Sequence, residues 1–126
     1  MRLFALQINK RGALSLDSLR QGPKVFRTHA AAMIERRYIH GEIVCVSLTQ
    51  TKVNATSRPV WAIVVRPLTN PSDAHYVDTL DSAPILFGTM HRAQTEVSVL
   101  DSEVIEKRYL TVLGRTVATP ARIGES

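Results

Sequence analysis

The apolar positions of this chain fall in short runs separated by turn formers, and in two places they widen to the three-and-four spacing of a helix. Residues 3–8 predict an opening strand, Asn9, Lys10, Arg11 and Gly12 a turn, and residues 13–16, alternating at period two, the return arm of a hairpin. Gln21, Gly22 and Pro23 predict a loop leading to a short extended piece at 24–26. Thr28 is placed to cap a helix from His29 to about Arg37 by accepting from an orphan amide of its first turn. Ala30, Ile34 and Arg37, flanked by Ala31 and Tyr38, mark the face expected to pack. Gly41 stops the helix, and the β-branched run 42–49 predicts a strand.

The same order follows again. Residues 60–65 are apolar on both faces and predict a central strand, 67–72 a loop, 75–80 a second strand and 85–87 a short extended piece. Thr89 caps a helix whose face is Ala93, Val97 and Leu100, and 103–113 predicts a last strand ended by Gly114. Residues 16–48 lie over 77–109 at a constant offset of 61, without a gap, and eight of the 33 aligned positions are identical. Roughly two identities are expected by chance from average usage. The repeated signature runs Pro23, Phe26, Thr28, Ala32 and again Pro84, Phe87, Thr89, Ala93. Each of those residues has a structural role: proline shapes the approach, phenylalanine anchors the helix, threonine caps it and alanine allows close packing.

The expectation is an α+β protein of two ββαβ repeats, forming one pseudo-twofold domain with an antiparallel sheet and two helices. The repeats are about 1–50 and 60–113 within a single domain 1–117, and 118–126 is a flexible tail. A half of this size buries too little surface to stand alone, so the halves are expected to share a core.

Composition adds a location and a polarity. At 44% hydrophobic and 21% charged, the 126 residues describe a globular protein rather than a disordered one. No apolar run approaches the ~20 residues that span a bilayer, and the start of the chain lacks the pattern of a signal peptide, so a cytoplasmic location is expected. The single cysteine, Cys45, lies in a strand and reads as a small buried hydrophobe. Residues 1–63 carry ten Lys and Arg against three acids, net +7, whereas residues 64–126 carry six against eight, net −2. One basic pole is the consequence, and Lys10, Arg11, Arg20, Lys24, Arg27, Arg36 and Arg37 are its candidate binding residues.

Catalytic motifs are missing. There is no glycine-rich phosphate loop, no Gly-x-Ser-x-Gly elbow and no His-Glu-x-x-His pair, so no catalytic residue is assigned. The four histidines (His29, His40, His75, His91) show no metal-ligand spacing, and no metal or cofactor is expected. Asp78 with Asp81, and Asp101 with Glu103, read as turn and cap residues. With 6% aromatics a stacking platform for single strands is poorly founded, although the basic pole keeps nucleic acid as an alternative partner.

Leu3 to Leu6, the run Val25, Phe26, Arg27, Thr28, His29, Ala30, Ala31, Ala32, and the strand start Glu42, Ile43, Val44 resemble small accessory proteins of tailed bacteriophages. The resemblance covers mainly the first half and transfers no functional residue. It implies a non-enzymatic protein that binds and modulates or inhibits a host protein, acting in the host cytoplasm. Nucleic-acid binding and a structural role in the virion, with self-association, are the alternatives.

Overall fold

The computed structural model describes residues 1–17, 21–66, 74–78, 83–96 and 103–115. In chain order the elements are β1 (Arg2–Gln7), β2 (Val25–Phe26), α1 (His29–Arg36), β3 (Glu42–Thr49), β4 (Arg58–Val65), β5 (His75–Tyr76), β6 (Leu86–Phe87), α2 (Met90–Glu96) and β7 (Glu103–Arg115). All strand pairs are antiparallel, in the order β2, β1, β3, β7, β4, β5, with β6 also paired to β4. The protein is α+β, with one curled antiparallel sheet and two helices among the described residues.

Period-two alternation decides what each strand buries. On β1, Leu3 and Ala5 point into the curl with Val25, Val44, Val46, Leu48, Val60, Ala62, Leu86 and Leu110, forming the largest core cluster. The alternate residues face outward beneath the helices: Leu6, Phe26 and Ile43 pack with Ala32 of α1, and Ile63 and Phe87 pack with Ala93 of α2. Both alanines are fully buried, so the helices approach the sheet closely. Where the ends of the curl meet, backbone touches backbone. A Cβ on Gly22 would collide with the carbonyl oxygen of Leu86, and one on Gly88 with that of Gln21.

Local chemistry matches the predicted punctuation. Thr28, extended at φ −124° and ψ 153°, accepts at Oγ1 from the Ala31 amide at 3.1 Å, and Thr89 Oγ1 accepts from the Arg92 amide at the same distance. Asn9 Oδ1 accepts from the amides of Arg11 and Ala13, closing the first turn with Gly12 at φ +90°. The connection between halves is fastened by Ser57, whose Oγ accepts from the amides of Val53 and Asn54 and lies 2.7 Å from Thr111 Oγ1.

Four expectations are corrected. The helix face that packs is not Ala30, Ile34 and Tyr38, all exposed, but Ala32 with half-buried Ala31 and Ile39. Spacing alone does not say which of two apolar faces meets the sheet. The arm at 13–16 and the described part of the arm at 75–80, residues 75–78, yield isolated bridges (Gln7 to Leu14, Leu16 to Pro23, Asp78 to Pro84) and the two-residue β5 rather than full strands. Strand β7 runs through Gly114 at φ +139° to Arg115, because an extra residue opposite the step from Cys45 to Val46 makes a bulge; Cys45 itself is half-buried. Finally, the ungapped offset fails in the last strand: Ile43 is buried beneath α1, while Val104, 61 residues on, is half exposed, and Ile105 packs beneath α2 instead. The tail at 118–126, Arg20, Val97 and Leu100 lie outside the described residues.

Candidate functional site

At one mouth of the curled sheet is a cleft of about 460 Å³ lined by Met1, Arg27, Gln50, Val64, Arg66, Ala74, His75, Tyr76, Asp78 and Arg108. The strands bring these together because β4 pairs with β5 and β7 on its two sides, which sets Val64 against Tyr76 and places Val60 opposite Arg108. Arg108 shares a strand face with Leu110 of the core, and its side chain is only 9% exposed.

A buried guanidinium needs its donors satisfied. Arg108 Nε donates to Tyr76 Oη at 3.1 Å, Nη1 to the Lys107 carbonyl at 3.0 Å and Nη2 to Glu106 Oε1 at 2.7 Å; its guanidinium also lies 5.9 Å from the Tyr76 ring centre. The same carboxylate receives Arg66, from Nε at 2.7 Å and Nη2 at 2.8 Å. One carboxylate therefore holds two guanidiniums. Burial pushes the Glu106 carboxyl up, but the hydrogen bonds and charges of Arg108 and Arg66 outweigh it and hold it below the ordinary carboxylate value. Burial likewise opposes the charge on Arg108, and Glu106 and Tyr76 more than restore it, so its pKa is raised. Across the cleft Arg27 lies 3.7 Å from Asp78.

The described members of the predicted basic set are placed as follows. Arg27 lines this cleft; Lys24 Nζ is tied to Glu35 at 2.6 Å; Lys10 lies on a separate groove of about 530 Å³ with Glu42 and Arg115. Arg11 is exposed on the first turn, and Arg36 and Arg37 are exposed at the end of α1, where neither makes an ion pair among the described residues. Beside them, Ala30, Met33 and Ile34 of α1 and Tyr38 just past its end are exposed, Met33, Ile34 and Tyr38 at 52%, 56% and 80%. The helix is thus apolar on two faces, one against the sheet and one outward.

Arg66, Tyr76, Glu106 and Arg108 were not singled out by sequence. A signal was present, since Glu106 and Arg108 are opposite charges two apart on a strand, in phase with Leu110 and Val112, and so share the core-facing side. Among the histidines, His75 lines the cleft and His29 packs edge-on to Phe4 at 5.7 Å. Among the described residues no group of three or more His, Cys, Asp or Glu is arranged to hold a metal ion, and no helix is long and apolar enough to cross a membrane. Comparison of the chain with protein-family models, with curated proteins and with solved structures finds no match.

Proposed function

We propose that the protein is a non-enzymatic binding module that docks the outward face of α1 into an apolar, acid-rimmed groove of a partner protein. Following the resemblance of its first half to phage accessory proteins, the partner is a host protein whose surface it occludes. The observation that carries this reading is the outward stripe Ala30, Met33, Ile34 and Tyr38, which stays in solvent in the folded chain and is accompanied by Arg36 and Arg37. On α2 the positions 61 residues on are His91, Gln94 and Thr95, all exposed and polar. A helix in the same setting therefore folds without such a stripe.

The flanking charges select an acidic partner over a second copy. Glu35 is the sole acid of α1, and it is engaged by Lys24, so pairing this face with itself would leave Arg36 and Arg37 without a counter-charge.

The reading takes the chain as a duplicated ββαβ unit in which one copy kept or acquired the contact face. Three features support the duplication: the like clusters beneath α1 and α2, the like pairs Phe4 with Phe26 and Trp61 with Phe87, and the two threonine caps. In this alignment Leu6 and Ile63 are 57 residues apart and Ile43 and Ile105 are 62 apart. The copies then differ by small length changes on either side of the helix-bearing segment.

Capture from a nuclease-treated bacterial lysate, comparing the wild-type chain with Arg36→Glu/Arg37→Glu, tests the function. A partner is expected whose association slows about tenfold or more on charge reversal at low salt. Unchanged association, or capture abolished by nuclease, would move the contact elsewhere or to nucleic acid.

A further inference from the structure

We propose that the cleft at the mouth of the sheet is a binding site for the phosphoryl group of a small phosphorylated ligand, with Arg66 donating to it and the buried Arg108 supplying fixed positive charge beside it. This stands independently of the docking face on α1.

Three guanidiniums, Arg27, Arg66 and Arg108, line the cleft, and two carboxylates, Asp78 and Glu106, accompany them. Among the described residues the balance is cationic, and the guanidiniums of Arg66 and Arg108 are held in place by hydrogen bonds. Arg108 is fixed by three different acceptors and stacked near Tyr76, and Arg66 is fixed by a two-point grip on Glu106. Fixed guanidinium forks match the oxygens of phosphate or carboxylate at low entropic cost. Donors remain, because Arg66 spends only Nε and Nη2, and its Nη1 makes no hydrogen bond among the described residues. The volume, about 460 Å³, is more than a bare oxyanion fills and lies in the range of small-ligand pockets. Val64 and the Tyr76 ring supply an apolar wall, and Gln50 a neutral polar group for the rest of the molecule.

Phosphate chemistry could arrive as a small monoester or as a nucleic-acid backbone, and the cleft favours the former. Its cations converge on one pocket instead of tracking a groove, and the basic residues Lys10, Arg11, Arg36 and Arg37 are not among its lining.

Titration calorimetry of the full chain with inorganic phosphate, adenosine 5′-monophosphate and a single-stranded oligonucleotide distinguishes these. Saturable binding is expected for phosphate and tighter binding for the monophosphate. Arg66→Gln, at a side chain 43% exposed that the fold tolerates, should weaken both about tenfold or more, the loss of one charge-assisted contact. Arg58→Gln, at an exposed residue outside the lining, should change neither. Chemical shifts of the Tyr76 ring moving on addition of the monophosphate would place the ligand here even where Arg108→Gln fails to fold. No saturable binding of phosphate or monophosphate, equal affinity in Arg66→Gln, or oligonucleotide affinity that grows with length and exceeds the monophosphate's would each overturn the proposal.

Discussion

Glu106 carries more of this fold than its place on a strand suggests. Among the described residues it is the only carboxylate touching the buried Arg108, and it holds Arg66 as well. Replacing it by Gln leaves a buried cation without its counter-charge and should cost about 3 kcal/mol of unfolding free energy in denaturant titration. Its pH signature follows from the direction of its shift. A carboxyl depressed in the folded state adds stability that is fully present above the unfolded value, about 4.3, and drains away as pH falls through the folded value. The wild type should therefore lose stability on acidification below that range more steeply than Glu106→Gln; parallel acid limbs would contradict the role given to this residue. The caps are a smaller matter. Thr28→Ala should cost about 1 kcal/mol, read as a lower denaturation midpoint at unchanged slope.

At the scale of elements, α1 is the instructive case. Its sequence supports two apolar faces, and a periodicity argument selects the larger side chains, Ile34 and Tyr38, for burial. The sheet takes Ala32 instead, since a helix lying close over Leu6, Phe26 and Ile43 leaves room only for a methyl group. Ile34→Ser should thus change stability by less than about 0.5 kcal/mol, whereas Ala32→Leu should destabilise by about 2 kcal/mol through overpacking. The reverse order in thermal or chemical denaturation would mean that the helix is rotated. The strands were legible because β-branched runs and turn residues are local signals; β5 and the arm at 13–16 are shorter than the pattern implies because their pairing depends on how the curl closes. That closure is made by the backbone contact at Gly22 and Gly88, and Gly88→Ala should lower stability by about 3 kcal/mol, the cost of forcing side-chain volume into filled space.

Over the whole molecule, the interior cluster draws residues from both halves: Leu3, Val25 and Val46 from one, Val60, Leu86 and Leu110 from the other. Neither half encloses it alone, so unfolding should be a single cooperative transition, with near- and far-ultraviolet circular dichroism coinciding. The charge imbalance between halves was plain in the sequence, yet it points away from the cleft. Lys24 and Arg27 pair with Glu35 and Asp78, and the two guanidiniums that share one carboxylate, Arg66 and Arg108, come from the less basic half. Which cations remain in solvent is a tertiary fact, set by where the strands deliver their partners. In the proposed function, the outward stripe of α1, with Arg36 and Arg37, is the surface that docks on the partner.

Site-specific photocrosslinking tests that claim most directly. A benzophenone side chain at position 33, on the outward face of α1, should trap a discrete protein in bacterial lysate, while the same group at the exposed position 53 should not, and Arg36→Glu/Arg37→Glu should abolish the adduct at 33. Equal trapping from both positions, or an adduct at 33 indifferent to charge reversal, would contradict the account.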